Sequence, residues 1–166
     1  MSANTLQVVP YEEDMLEEIL TLFYQTVHTV CRKDYTLRQL DVWAPRHPLK
    51  GAWEKKLAES WVRVARMENK IVGFCNLQEK NCYFDCLYVH KDYQGRGVAS
   101  ALVKKLELRA IEAKISKLTV DASATALPFF KQKGYHMLKK QTVVREGEEL
   151  TNYVMEKTLL PKRKPF

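Results

Sequence analysis

The sequence predicts an α+β domain built on a mixed, mostly antiparallel sheet. Residues 61–89 show three strand patterns separated by two polar turns, which is typical of consecutive antiparallel strands. A helical pattern and a further strand pattern at 118–122 follow, and a right-handed crossover would make that strand parallel to its predecessor. Two last strand patterns, 135–145 and 151–159, are joined as a hairpin. These observations predict one βαβ unit within an otherwise antiparallel sheet.

The N-terminal third is predicted to be mainly helical. A short strand at 5–9 precedes a helix from Glu12, in which apolar residues recur every three or four positions: Met15, Ile19, Leu22, Phe23 and Val27. Thr36 and Gln39 have the spacing of a capping box, which predicts a short helix ending at Trp43. A third helical segment covers 49–58.

The middle and C-terminal elements follow from periodicity and turn residues. Strands are predicted at 61–67, 71–77 and 82–89, and a helix of about fifteen residues begins near Val98. After the strand at 118–122, a compact helix at 125–133 is stopped by Gly134. The C-terminal hairpin is predicted to turn across 146–150.

Composition and charge limit the classes of function. The chain has 166 residues, a net charge of +7 and 46% hydrophobic residues, which fits a single domain, 1–160, with a basic tail, 161–166. Its basic residues are dispersed and lack a nucleic-acid-binding motif, so no specific nucleic-acid partner is expected. No apolar run approaches the roughly 20 residues of a membrane span, and no signal-peptide pattern is present. We therefore expect a cytoplasmic protein without a membrane partner.

The four cysteines favour reduced thiols. Cys82 and Cys86 lie four residues apart on one predicted strand, so their Cα atoms should be about 13 Å apart. A disulfide needs less than about 7 Å. The chain also lacks the C-x-x-C spacing of zinc and redox sites, and no metal is expected.

The most informative stretch is 83–99. Its first half is apolar on both faces apart from Asp85, the pattern of a strand buried on both sides. Its second half places Gly95 and Gly97 where a helix begins, and backbone amides at such a turn can hold a phosphate group. The combination predicts a cofactor site beside a reaction centre.

A dinucleotide is one candidate for the phosphate ligand. The glycines begin like a dinucleotide fingerprint, and Asp121 lies near where a ribose-binding acid would be. However, the third glycine position is Ser100, and only one βαβ unit is predicted. A nucleotide-triphosphate loop is also disfavoured, because no lysine follows the glycines.

A second motif favours a different cofactor. The spacing Gln94-x-x-Gly97-x-Ala99 resembles the acetyl-CoA signature of the GNAT superfamily of N-acetyltransferases, Q/R-x-x-G-x-G/A. A downstream pattern resembles that family's N-x-x-A-x-x-F-Y-x-x-x-G-F: Ser123, Ala126, Phe129, Phe130, Gly134 and Tyr135. Both motifs fall on the predicted elements with the expected spacing. The sequence is therefore identified as similar to GNAT acetyltransferases over 61–135, and by element order over nearly the whole chain.

The resemblance implies a fold and a cofactor site. GNAT folds have a central parallel strand pair that splays apart, with helices on both faces of the sheet. The pantetheine arm of acetyl-CoA pairs with the first splayed strand, and its pyrophosphate lies on the glycine turn. The cofactor-binding residues implied here are Leu87, Tyr88, Val89, Gln94, Gly95, Arg96, Gly97, Val98, Ala99, Ser100, Ser123, Ala126, Phe129 and Phe130. Proteins of this family are often dimers, so the resemblance also allows a homodimer.

Acetyl transfer to an amine requires a neutral nitrogen. An alkylamine is mostly protonated at pH 7, and its deprotonation costs roughly 4–5 kcal/mol, so a general base is expected. Asp85 is the candidate base, acting directly or through water, and it is expected to share a strand face with Tyr83, Leu87 and Val89. A structural acid satisfied by neighbours is the alternative. Glu79 and Tyr83 are further candidates.

One position departs from the family pattern. Many GNAT enzymes have a tyrosine that protonates the departing coenzyme A where this chain has Phe130. Phenylalanine cannot donate a proton, so no general acid is assigned. Thiols have pKa values near 8.5, which makes an unassisted leaving group tolerable.

The acceptor site is expected between the N-terminal helices and the C-terminal hairpin. Tyr35, Trp43 and Tyr83 are the predicted substrate-binding residues, with His28 as a further candidate, although core or capping roles also suit these side chains. Cys31 is not expected to act as a nucleophile, because the family uses direct transfer.

The sequence thus predicts an acyltransferase that moves an acetyl group from acetyl-CoA to a primary amine by direct attack on the thioester. The acceptor is a small molecule or a peptide. The alternative is a non-catalytic acyl-CoA-binding module, which Phe130 makes conceivable.

Overall fold

The computed structural model describes residues 5–159, in which seven strands form one sheet. The strands are β1 (Gln7–Pro10), β2 (Trp61–Met67), β3 (Lys70–Gln78), β4 (Tyr83–Val89), β5 (Lys117–Ser123), β6 (His136–Arg145) and β7 (Glu148–Thr158). The helices are α1 (Leu16–Val30), α2 (Leu37–Trp43), α3 (Lys50–Ala58), α4 (Val98–Glu112) and α5 (Leu127–Gln132). The predicted basic tail, 161–166, lies outside the described residues.

The strand order is β1-β2-β3-β4-β5-β7-β6, and only β4 and β5 pair in parallel. Their pairing is confined to Tyr83 with Thr119 and Phe84 with Val120. Beyond that point β4 continues to Val89 paired with β3 alone. The predicted α+β sheet with a splayed parallel pair is therefore confirmed, and the splay leaves one edge of β4 open.

Helices cover both faces of the sheet, as predicted. On one face α4 buries Val98, Leu102, Leu106 and Ala110 in a core that also contains Phe84. On the other face α1 buries Ile19, Phe23 and Val27 against Phe74 of β3. The two separate cores fix the sheet between its helices, so the position of β4 is set from both sides.

Local signals explain most element boundaries. Thr36 and Gln39 form the predicted capping box at the start of α2, with hydrogen bonds in both directions. The hairpin between β2 and β3 turns at Glu68 and Asn69, which both have positive φ.

The turn between β6 and β7 is shorter than the predicted 146–150. Glu146 and Gly147 both have positive φ, and they close the hairpin in two residues. Residues 148–150 therefore continue β7 instead of forming part of the turn. None of the helices within 5–159 has the length and apolar character needed to cross a membrane.

Candidate active site

A β-bulge in β4 determines which way Asp85 faces. Leu77 of β3 pairs with Phe84, and the next β3 pair joins Asn76 to Cys86, so Asp85 has no partner on β3. An extra residue of this kind places two consecutive side chains on the same side of the strand and often re-aims a side chain. Asp85 and Cys86 accordingly line the same cavity.

The bulge overturns one prediction about Asp85. The strict alternation of a regular strand placed Asp85 on the face of Leu87 and Val89, but those two side chains pack in the core under α4. Asp85 instead lies with Tyr83 and Tyr88 on the face covered by α1, α2 and α3. The extra residue shifts the alternation by one, which periodicity alone cannot indicate.

One oxygen of the Asp85 carboxylate is held by two hydrogen bonds and one ion pair. Asn76 Nδ2 donates to Asp85 Oδ2 at 2.9 Å and Gln78 Nε2 donates to the same oxygen at 3.2 Å. Lys56 Nζ lies 3.6 Å from it. The Asp85 side chain is only 12% exposed. Its orientation is therefore fixed by side chains from β3 and α3, and its charge is compensated by the Lys56 ammonium.

These three partners of Asp85 were not anticipated from the sequence. Asn76 is a polar residue within the apolar run of β3, just as Asp85 is within that of β4. Because both strands are buried, these two polar residues could have been predicted to contact each other. Lys56 lies on α3, distant in sequence from Asp85, and carries no local signal.

Asp85 opens into a cavity of about 640 Å³. Its walls come from α1, α2, α3, the segment between α2 and α3, β4, β5 and the tip of the β6–β7 hairpin. The predicted residues Trp43, Tyr83 and Asp85 all line it. The acceptor site was expected between the N-terminal helices and the C-terminal hairpin, and the cavity lies there.

One wall of the cavity is aromatic. The ring of Phe23 lies 5.0 Å from that of Trp53 and 4.8 Å from that of Tyr88. Trp43 Nε1 donates a hydrogen bond of 3.2 Å to the Tyr88 hydroxyl. Burial raises the pKa of Tyr88 well above its usual range, so this phenol is a neutral part of the wall.

Tyr83 links the two splayed strands. Its hydroxyl donates a 3.1 Å hydrogen bond to Asp121 Oδ2 on β5. Burial raises the pKa of Tyr83, and the nearby charges of Asp121 and Asp85 raise it further. A phenol with a raised pKa stays protonated at neutral pH, which makes Tyr83 unsuitable as the base.

Three other candidates lie outside the cavity. The Tyr35 hydroxyl donates to the Thr151 carbonyl and accepts from the Ala124 amide, both at 2.9 Å, so it ties β7 to the end of β5. His28 Nε2 lies 2.8 Å from the Ala44 carbonyl at the end of α2. Glu79 pairs with Arg109 of α4 at 2.6 Å. These contacts explain why the three side chains do not reach the cavity.

The thiols described by the structure are all free, as predicted. Burial raises the pKa of the Cys31 thiol, and stronger burial raises that of Cys86, so neither is activated as a nucleophile.

The open edge of β4 presents backbone groups. The His90 amide donates to the Val72 carbonyl at 2.8 Å, and Val89 faces Gly73 across the ladder. In an antiparallel ladder this alternation turns the N–H and C=O of Val89 away from β3, towards the gap beside β5. The Val89 carbonyl accepts from Thr26 Oγ1 at 3.0 Å and Gln94 Nε2 at 2.7 Å.

The start of α4 lies at the end of this edge. Gly95 and Gly97 adopt φ values of 72° and 81°, a left-handed conformation that favours glycine. A Cβ added at either glycine would meet no atom within 4 Å, so the turn faces open space. The Arg96 guanidinium lies 4.9 Å from the Tyr93 ring, beside the exposed turn. An open strand edge leading to unobstructed amides fits a ligand with an extended amide arm and phosphates.

The second motif forms the start of α5 and the core beneath it. Ser123 Oγ accepts a 3.1 Å hydrogen bond from the Ala126 amide. Phe130 is 3% exposed and packs edge-on against Phe84 and Tyr135. Its ring fills the core under α4, which gives this position a structural function that needs no hydroxyl.

A splayed strand pair, a glycine turn and a side-chain cavity thus meet on one strand, β4. The chain belongs to the GNAT acetyltransferase family: the family model described as an acetyltransferase (GNAT) domain matches residues 31–157. This confirms the predicted family and makes the protein an acyltransferase that uses acetyl-CoA.

Similar proteins agree with this assignment. The N-acetyltransferase YafP of Escherichia coli, described as uncharacterized, is 37% identical over 152 residues, covering 92% of this chain and 95% of that protein. A GCN5-related N-acetyltransferase from Rhodopseudomonas palustris is 31% identical, with a TM-score of 0.89 over 95% of this chain and 98% of its own. The PaiA N-acetyltransferase of Thermoplasma acidophilum, solved with coenzyme A, shares the fold at a TM-score of 0.77 and 13% identity, covering 93% and 99%.

Proposed function

We propose that this acetyltransferase acetylates a primary amine by direct attack of the amine on the thioester, with Asp85 as the general base. The observation that carries the proposal is the β-bulge at Asp85. The bulge points the buried Asp85 carboxylate towards the cavity. Asp85 lies on β4, and the edge of β4 that faces β5 is open. This arrangement supports a site for both substrates on β4.

The donor site would be formed by main-chain groups of β4 and α4. Leu87, Tyr88 and Val89 would pair with the pantetheine arm along the open edge, as a peptide adds to a sheet. The amides of 94–99 and the start of α4 would hold the pyrophosphate, with Arg96 and Ser100 nearby. Ser123, Ala126 and Phe129 would border the arm from β5 and α5, whereas Phe130, predicted for the same role, is buried in the core beneath them. When bound, acetyl-CoA supplies a reactive acetyl thioester.

Asp85 would take the proton from the attacking amine, directly or through one water. Deprotonation of an alkylamine at pH 7 costs roughly 4–5 kcal/mol. A carboxylate positioned beside the amine lowers this cost, because it accepts the proton as the new bond forms. Asn76 and Gln78 hold Oδ2, so the carboxylate does not rotate away from the cavity. Lys56 compensates the charge of the carboxylate, because its ammonium lies 3.6 Å from Oδ2.

The Val89 amide would stabilise the negative charge that develops on the thioester oxygen. It points into the gap between β4 and β5, on a rigid strand, as a preorganised donor should. No side chain is assigned as the acid that protonates the thiolate, because Phe130 is buried and has no acidic proton to donate. A thiol with a pKa near 8.5 leaves without one.

The test is thiol release from acetyl-CoA in the presence of a panel of primary amines. We expect release that depends on an amine, with acetylated product found by mass spectrometry, and loss of turnover in Asp85→Asn. Tight binding of acetyl-CoA without amine-dependent release would favour the non-catalytic acyl-CoA-binding module. Full turnover in Asp85→Asn would remove Asp85 from the mechanism but leave the reaction.

A further inference from the structure

We propose that, when no acceptor is bound, the protein transfers the acetyl group of acetyl-CoA to its own Lys56 on α3. The proposal rests on the proposed function, because it uses the same base, Asp85, and the same thioester. It adds a modification site inside the acceptor cavity. It also gives the protein a means of lowering its own activity.

Lys56 places a primary amine inside the acceptor cavity. Of the lysines within 5–159, it alone lines this cavity. Its side chain is 37% exposed, so the amine is not packed into a core. A primary amine is the chemical group that the proposed reaction acetylates. Because this amine is covalently attached at the site, its attack would be unimolecular once acetyl-CoA is bound.

The Lys56 amine has the position relative to Asp85 that the proposed mechanism requires of an acceptor. An amine that gives its proton to a carboxylate, directly or through one water, lies about 3–6 Å from that carboxylate. Lys56 Nζ lies 3.6 Å from Asp85 Oδ2. The lysine nitrogen therefore lies within the range in which Asp85 can deprotonate it.

A neighbouring ring keeps the amine on the cavity side of α3. Lys56 Nζ lies 4.9 Å from the centroid of the Trp53 ring, which is one turn earlier on the same helix. Trp53 also lines the cavity. A cation over an aromatic face is attracted by it, so the ring and the Asp85 carboxylate together hold the ammonium at the cavity wall.

The acetyl group would approach from the same direction. In the proposed donor site the pyrophosphate lies on 94–99, beyond the end of β4, and the arm runs back along Leu87 to Val89. The acetyl end of the arm therefore points towards Asp85. Asp85 precedes Leu87 by two residues, about 7 Å along the strand. The flexible four-carbon stem of Lys56 allows its nitrogen to move across such a distance.

The step balances without a further reactant. Asp85 accepts one proton from the Lys56 ammonium, and the freed electron pair attacks the thioester carbon. The N–C bond forms, the C–S bond breaks, and coenzyme A leaves as a thiolate. The second proton lost by the nitrogen passes through solvent to the thiolate, and Asp85 returns its proton to solvent. The products are acetylated Lys56 and coenzyme A.

Acetylation would change the cavity in two ways. It removes the positive charge of Lys56, and with it the ion pair to Asp85 and the attraction to the Trp53 ring. It also adds an acetyl group beside the base, in a cavity of about 640 Å³. The modified protein should therefore acetylate an added amine more slowly. An acceptor already bound at Asp85 competes for the thioester and protects Lys56.

The test is incubation of the full chain with deuterated acetyl-CoA and no added amine, followed by peptide mass spectrometry. Lys56 should be labelled at least about 10²-fold faster than Lys55, its exposed neighbour outside the cavity lining, which reports uncatalysed acetylation. Asp85→Asn should slow the labelling of Lys56 at least about tenfold. The rate constant should not change with protein concentration, because the step occurs within one chain.

A second measurement follows the activity towards an added amine. Incubation with acetyl-CoA before the amine is added should lower the turnover of the wild type at least about twofold. Lys56→Arg should lose no activity during this incubation, because the guanidinium keeps its charge and stays protonated. Lys55→Arg is the matched control and should lose activity as the wild type does.

The outcomes separate this proposal from the proposed function. Labelling of Lys56 without acetylation of any added amine would support self-acetylation and refute the transfer to an external acceptor. Turnover of an added amine without labelling of Lys56, or with equal labelling of Lys55, would overturn self-acetylation and leave the proposed function intact. Labelling of Lys56 that persists at the full rate in Asp85→Asn would also overturn the proposal. If neither reaction occurs, both proposals are wrong.

Discussion

The two halves of the candidate site are built from different parts of the chain. The proposed donor half consists mostly of main-chain groups of β4 and of the turn before α4, which lie close together in sequence between 87 and 100. The acceptor half consists of side chains from α1, α2, α3, β4, β5 and the β6–β7 hairpin. Main-chain groups are positioned by local conformation, whereas a cavity requires distant elements to pack correctly. The donor half should therefore be sensitive to backbone changes and the acceptor half to side-chain changes.

The largest effect is expected from Asp85→Asn, which changes the acceptor half alone. Loss of a general base should lower kcat by about 10²–10⁴-fold. The isosteric amide should leave the fold and acetyl-CoA affinity unchanged, which calorimetry with coenzyme A can check. A parallel loss of coenzyme A binding would show that the two halves are not separable at Asp85.

The next effect is expected from Gly97→Ala, which changes the donor half alone. Gly97 has a φ of 81°, so a Cβ favours a different backbone conformation and turns the amides of the loop. Affinity for coenzyme A, measured by calorimetry, should fall about tenfold, corresponding to about 1.4 kcal/mol. Gly51→Ala in α3, which also adds a Cβ into open space, is the control and should bind coenzyme A normally.

A third change acts where α4 packs on the sheet. A Cβ at Gly73 would lie 3.0 Å from the Tyr88 carbonyl oxygen and from Val98 Cγ1, and 3.1 Å from Leu102 Cδ1. Gly73→Ala should therefore lower the free energy of unfolding by about 1–3 kcal/mol, as overpacking does. Urea unfolding measures this value. An unchanged midpoint would mean that α4 moves away from β3 at no cost, and the donor half would then be less rigid than proposed.

The smallest effect is expected from Lys56→Met, which removes the cation beside Asp85 but keeps most of the packing against Trp53. The side chain is 37% exposed, so solvent screens the pair and kcat should fall only about two- to fivefold. Lys55→Met, one residue earlier and exposed, is the control for loss of charge on α3. A loss as large as that of Asp85→Asn would make Lys56 a participant in proton transfer.

Much of the donor half could be predicted from the sequence. Gly95 and Gly97 indicate a turn, and both have positive φ. The helix α4 begins where the apolar periodicity begins, and β4 is an apolar run of the length of a strand. The capping box of α2 and the hairpins were also predictable, since each depends on a few adjacent residues. The roles assigned to these residues in binding acetyl-CoA stay predictions until the measurements above are made.

The acceptor half was predicted only in outline. Trp43, Tyr83 and Asp85 line the cavity, but Tyr35, His28 and Glu79 do not, because each hydrogen-bonds or pairs elsewhere. Lys56, Trp53 and Asn152 were not anticipated. Their proximity to Asp85 or to one another depends on how α3 and the β6–β7 hairpin pack over the sheet, which no local pattern encodes.

The sequence by itself determined the order of elements, the glycine turn, the family and the identity of a lone acid on a buried strand. These depend on residue types and spacing over short stretches, where local conformational preferences decide. Only the tertiary structure decided the direction in which that acid faces. One extra residue in β4 relative to β3 reverses the alternation, and that mismatch exists only between two paired strands. The same holds for the cavity beyond it, whose walls meet only when both cores have formed.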